Sequence, residues 1–132
     1  MIHFNQQEQC ALIVLRALTH SPNAQVRVDD IALQHNLSKS LVKLALTTLK
    51  KRGLVISKEG RGGGYALAVL PDSISVSDVI GKFKSNQFGL CNGSDHLCQY
   101  DHQNCPIQSG WQKIAEELNA SLSQTRVIDA IK

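Results

Sequence analysis

No stretch of this sequence stays apolar for the roughly 20 residues that crossing a bilayer requires. The N-terminus shows no basic region followed by an apolar run and a small-residue cleavage site. Neither a membrane span nor a secretory leader is expected, and the chain is expected to work in the cytoplasm. Paired carboxylates, a nucleophile–base constellation and a cofactor fingerprint are also missing, which argues against an enzyme. The run "GRGGG" lacks the GK[ST] ending of a P-loop and does not open a helix, so a nucleotide loop is not expected either. Aromatic residues are few: Trp111, Tyr65, Tyr100 and three Phe. Acidic residues are missing altogether between Asp30 and Glu59.

That acid-free interval lies in the basic half of the chain. Residues 1–70 carry nine Lys/Arg against four Asp/Glu, whereas residues 71–132 carry five against seven, within a net charge of +3. A basic N-terminal half suits a polyanionic partner. At 132 residues and 42% hydrophobic content, the chain fits one domain, or one small domain with an appendage used for assembly.

Apolar residues at spacings of three and four predict a first helix over 6–19, with Ala11, Leu12, Val14, Leu15 and Leu18 on one stripe. "HSPNAQ" reads as a loop broken by Pro22. A short second helix over 28–35 opens on Asp29 and Asp30, which complement the helix dipole. Asn36 tolerates the left-handed conformation that ends helices, and Ser38 offers an N-cap for a third helix running to about Arg52. In that third helix Leu41, Val42, Ala45, Leu46 and Leu49 are spaced for burial. Ser40, Lys43, Thr47 and Lys50 form a polar face free of acid. A short helix, a tight turn and a second helix with such a face is the pattern of a DNA-reading helix-turn-helix.

Gly53 ends the third helix, and "LVISK" and "YALAV" read as short strands joined by the tip "EGRGGG". The expected fold is therefore mainly α with a small β-wing. Glycines would let the tip approach a phosphate backbone, and Arg61 there could enter a minor groove. After Pro71 a short helix is expected over 75–83, capped by Ser75 or Ser77. A long one is expected from Ile107 to about Ser123, its apolar edge formed by Ile107, Trp111, Ile114, Leu118 and Leu122. That edge could serve a dimer interface or pack on its own domain.

Between these two helices, "LCNGSDHLCQYDHQNCPI" holds Cys91, Cys98 and Cys105 at equal intervals among polar, turn-forming residues. Buried structural cysteines normally sit in apolar patterns instead. Zinc held by three Cys and His96 or His102 is one reading, although structural zinc sites favour tighter ligand pairs. An iron–sulfur cluster, whose thiolates tolerate wider spacing, is the other.

Wing and cysteines together resemble the bacterial Rrf-two (Rrf2) family of winged-helix regulators, which includes iron–sulfur regulators and nitric-oxide sensors. The resemblance rests on "GLVISKEGRGGGYALA", on "NLSKS" and on "CPIQSGW", in that order, and covers nearly the whole chain. It implies a homodimeric transcriptional regulator on a double-stranded DNA operator. A cluster held by Cys91, Cys98 and Cys105 would tune DNA affinity to redox state, nitric oxide or iron supply. It implies base or groove contacts from Ser38, Ser40, Lys43 and Arg61; from their charge and place, Lys39, Lys50 and Lys51 are expected on phosphates. The organisation expected is a DNA-binding domain over 1–70, a connecting helix and cysteine loop over 71–106, and a dimerisation helix and tail over 107–132.

Three features depart from the family pattern. The family's iron–sulfur regulators carry a His ligand three residues after the last cysteine, where this chain has Gln108. Its nitric-oxide sensors use an N-terminal carboxylate, and the matching position here is Gln9, beside Glu8. The intervals between cysteines are also one residue longer than usual. A [2Fe–2S] or a [4Fe–4S] cluster both stay open, with Glu8, His96, His102 and Cys10 as fourth-ligand candidates. The competing functions are a small electron-transfer protein docking through its basic surface, and a zinc-stabilised winged-helix DNA-binding protein.

Overall fold

The first helix, α1 (Gln6–Thr19), begins at a complete capping box in the computed structural model of the chain, which describes residues 5–22, 24–82 and 104–131. The Glu8 N–H donates to Asn5 Oδ1 at 2.8 Å, and the Asn5 N–H donates to Glu8 Oε2 at 2.8 Å. Two amides that the first turn leaves without helical partners are thereby satisfied. The helix buries Cys10, Ala11, Val14, Leu15 and Leu18, the stripe its spacing predicts with Cys10 added.

Helices α2 (Val28–His35) and α3 (Lys39–Lys51) are separated by three residues, and the way each helix stops sets that short connection. At the end of α2, Asn36 adopts φ 52° and ψ 46°. The Leu37 N–H reaches Ala32 O at 2.9 Å, and the Asn36 N–H reaches Leu33 O at 3.4 Å. This is a left-handed stop of the Schellman type, for which Asn is one of the few suitable side-chain-bearing residues. Ser38 then caps α3 by accepting the Leu41 N–H at 3.2 Å. The far end of α3 stops in the same way at Gly53, with Leu54 N–H on Leu49 O and Gly53 N–H on Lys50 O. Val42, Ala45, Leu46 and Leu49 are fully buried on the inner face of α3, against which both α1 and α2 pack. The sequence pattern names these helices to within a residue.

Strands β1 (Val55–Lys58) and β2 (Gly64–Leu67) form the antiparallel hairpin expected of a wing, registered Val55 opposite Leu67 and Lys58 opposite Gly64. One partner was not foreseen. Val26, at the end of the expected loop before α2, exchanges two backbone hydrogen bonds with Tyr65, at 2.9 and 2.8 Å. This third backbone steadies a two-stranded ribbon that would be marginal alone. It also explains Gly64, whose φ is 147° and where a Cβ would lie 2.7 Å from the Val26 carbonyl oxygen.

After a 3₁₀ turn (Pro71–Ser73), α4 (Val76–Ile80) is shorter than the 75–83 expected from sequence. Ser75 caps it in a second capping box with Asp78, and Gly81, at φ 79°, ends it. Helix α5 (Gln108–Gln124) follows, packed against α4. The chain then turns at Thr125 into α6 (Val127–Ala130), an element the sequence reading treated only as tail. Here Val76 N–H bonds Thr125 O and Val127 N–H bonds Ile74 O, each at 2.9 Å. Val127 is fully buried in the same apolar cluster as α1 and α3. No described helix is long and apolar enough to cross a membrane.

Candidate nucleic-acid interface

The outward face of α3 is basic and free of acidic residues. Ser38, Lys39, Ser40, Lys43, Thr47, Lys50 and Lys51 are all exposed along it or at its cap. Its first turn is organised by hydroxyls: Ser38 Oγ lies 3.3 Å from Ser40 Oγ while accepting the Leu41 amide. Lys39 turns back to Asp29 of α2 at 3.0 Å, an exposed pair of the kind worth about 0–1 kcal/mol. An attraction that small yields readily to a phosphate. The Thr47 hydroxyl donates to Lys43 O at 2.8 Å, so its methyl rather than its hydroxyl hydrogen is offered outward.

Lys50 bridges helix and wing. Its Nζ donates to Ser57 Oγ on β1 at 2.5 Å. Ser57 was not singled out in the sequence, since nothing local reveals that residues seven apart in different elements will meet. Arg61 sits exposed at the hairpin tip, beyond Lys58. At Gly63 a Cβ would lie 2.4 Å from the Lys58 carbonyl oxygen, so the tip is as tight as its glycines allow. Helix face and wing are thus joined by a side-chain hydrogen bond as well as by the chain. Leu44 is the other residue the two-face reading of α3 passed over: it belongs to neither set, and it is 51% exposed.

A second feature ties α3 to the rest of the chain. Arg52, its C-cap, donates through Nη1 to Asp78 O at 2.9 Å and also to Val79 O, both at the C-terminal end of α4. A cation suits that end of a helix, where carbonyls point outward unpaired.

Of the cysteines, Cys91 and Cys98 lie outside the described residues, as do His96 and His102. Cys105 is half-buried just before α5. Two turns of α5 beside it are incompletely satisfied: among the described residues, neither Gln108 Oε1 nor Trp111 Nε1, both buried, has a hydrogen-bond partner. Of the helix's expected apolar edge, Trp111, Leu118 and Leu122 are half-buried, while Ile107 and Ile114 are 55% and 44% exposed. Glu8 is half-buried and already holds the Asn5 amide through one carboxylate oxygen. Cys10 is buried in the core, and its burial pushes the thiol pKa up, disfavouring the thiolate a metal would need. Cys10 is therefore a core residue. No group of three or more metal-binding side chains assembles among the described residues.

Comparison with known proteins places these features. A model of the Rrf2 family, described as iron-dependent transcriptional regulator, matches residues 4–132. An HTH-type transcriptional regulator of Aquifex aeolicus is 28% identical over 130 residues, covering 97% of this chain and 90% of that protein. The HTH-type transcriptional regulator IscR of Aliivibrio salmonicida is 30% identical over 110 residues, 83% of this chain and 64% of its own length. Among solved structures, CymR of B. subtilis, titled the global cysteine regulator, superposes with a TM-score of 0.75 at 22% identity, covering 99% of this chain and 97% of that one. T. potens IscR gives a TM-score of 0.73, also at 22% identity, over 98% and 85%. These likenesses show a winged-helix fold and relatives that regulate transcription rather than catalyse.

Proposed function

This chain belongs to the Rrf2 family of transcriptional regulators, and from that premise we propose that it is a homodimeric repressor or activator whose affinity for a palindromic DNA operator is set by an iron–sulfur cluster. The observation that carries the DNA-binding part is the acid-free basic face of α3 fixed to a wing through Lys50 and Ser57. In this reading Lys39, Lys50 and Lys51 contact phosphates and set register, while Ser38, Ser40, Lys43, Thr47 and Arg61 read base edges or groove width. The 1–70 segment then acts as the DNA-binding unit, 71–106 as the sensing loop and 107–132 as the dimerisation segment.

Dimerisation is supported by what the described residues leave undone on α5. Ile107 and Ile114 stay exposed, and among the described residues Gln108 Oε1 and Trp111 Nε1 have no hydrogen-bond partner. A second copy packed along that edge would bury both isoleucines and could satisfy both polar atoms, which are costly to leave unmade.

Cys91, Cys98 and Cys105 would hold the cluster. The donor set fits: three thiols at equal intervals in a polar segment, the ligand type that such a cluster takes. A bound cluster supplies a ligation state that oxidants, nitric oxide or iron shortage can change. The chain's own residues supply the coupling. Helix α4 ends at Gly81, where the chain heads toward the cysteine segment, and Arg52 ties the last carbonyls of α4 to the end of α3. A shift of the loop that moves α4 is therefore felt at the DNA-facing helix, biasing the dimer between two states.

An anaerobic preparation tests the cluster. It should be brown, absorb visible light, and contain sulfide as well as iron. A colourless protein with stoichiometric zinc would rule the cluster out and leave the zinc-stabilised alternative.

A further inference from the structure

We propose that Leu44 reads a thymine by packing on its C5-methyl group in the major groove. This rests on the DNA-binding function proposed above and assigns one determinant of its specificity.

The argument begins with how strictly α3 is otherwise sorted. Val42, Ala45, Leu46 and Leu49 are buried, and Leu41 is half-buried against the same cluster. Leu44 is the exception, with half its surface open to solvent. At 100° per residue it lies one turn beyond Ser40, one turn before Thr47, and two turns from the cap-side Leu37 turn. Its neighbours on that side of the helix are Ser40, Thr47, Thr48 and Lys51, with Lys43 about a quarter-turn away, and all of these but Thr48 are exposed. An isolated exposed leucine is ordinary on a protein surface. One whose near neighbours on the helix are Ser40, Thr47 and Lys51 is a less ordinary case, because a protein surface apolar enough to cover Leu44 would also have to desolvate the ammonium group and hydroxyls beside it.

Duplex DNA resolves that conflict. Its phosphates accept the lysines at the edges of the groove, while the shorter side chains among them meet the groove floor. Of the bases, only thymine offers a methyl group on the major-groove edge, and it is contacted by apolar side chains. Leu44 stands in the N-terminal half of α3, the part of a recognition helix that reaches base edges. The Thr47 methyl beside it extends the same apolar spot, since its hydroxyl is held by the Lys43 carbonyl.

The test starts from the duplex that the intact protein enriches from a randomised pool. Each thymine of one half-site is replaced in turn by deoxyuridine, which removes the methyl and leaves the base pairing unchanged. At one position the wild-type protein should lose about fourfold in affinity, the value of one buried methyl group. Leu44→Ala should bind the thymine and deoxyuridine duplexes equally at that position, with an unchanged dependence on salt and an unchanged unfolding midpoint. Equal wild-type affinity for thymine and deoxyuridine at every position would overturn the inference, as would full discrimination retained by Leu44→Ala, or a preferred half-site with no required thymine. Failure of the wild-type protein to enrich any duplex would instead overturn the DNA-binding function beneath it, and the inference with it.

Discussion

Lys43 and Lys51 sit on the same exposed face of α3 but are assigned different tasks, and substitution separates them. Lys43→Ala is expected to cost about 1–3 kcal/mol in binding the preferred duplex and to relax the choice at one base pair. Lys51→Ala should weaken binding to all duplexes alike and lower the salt slope by about 1. Titrations of both variants at several salt concentrations would distinguish these outcomes. Cys10 gives a second residue-scale expectation. Buried and with its pKa raised, it carries less thiolate at any given pH than an ordinary cysteine, so it should resist alkylation in the folded chain and react fully once unfolded. Mass mapping of iodoacetamide adducts checks this, and rapid labelling of Cys10 in native protein would contradict its place in the core. At this scale much is legible in the sequence. Asn36, Ser38 and Gly53 announce their roles because caps and left-handed stops depend on one side chain and its near neighbours. The Lys50–Ser57 bond and the Arg52 contacts with α4 were not legible, since they join elements whose relative placement no local pattern encodes.

The wing shows the same limit at the scale of elements. Its two strands and glycine tip follow from β-branched and turn-forming residues, but its third backbone, Val26, comes from a segment that reads as loop. Gly64 carries the consequence. Gly64→Ala would force a Cβ against the Val26 carbonyl in a backbone region that side chains rarely adopt, at a cost of about 1–3 kcal/mol. A lower urea midpoint, with weaker DNA binding from a displaced wing, is the expected result. The short α6 was missed for a related reason. Four residues hold no periodicity, and Val127 is buried only because the turn at Thr125 returns the chain to Ile74. The three spaced cysteines stand differently: the sequence offers their spacing and chemistry, and of Cys91, Cys98 and Cys105 only Cys105 falls among the described residues.

For the whole molecule, the proposed function depends on two copies acting together. Ile114→Glu places a charge on the α5 edge assigned to the dimer interface, where burying an unpaired carboxylate is costly. Sedimentation should show the wild-type chain as a dimer and Ile114→Glu as a monomer at the same concentration, with the variant binding a palindromic duplex far more weakly. An unchanged dimer would move the interface elsewhere. Charge divides along the same proposed line, with a basic half assigned to DNA and a mildly acidic half assigned to the sensor and dimer segments. The measurement that bears most directly on the central claim is affinity for the enriched duplex against a scrambled one, across salt, with cluster-loaded and cluster-free protein. The account predicts a large sequence preference, a steep loss with salt, and an affinity that differs between the two forms. Equal, weak binding of both duplexes by both forms would contradict it.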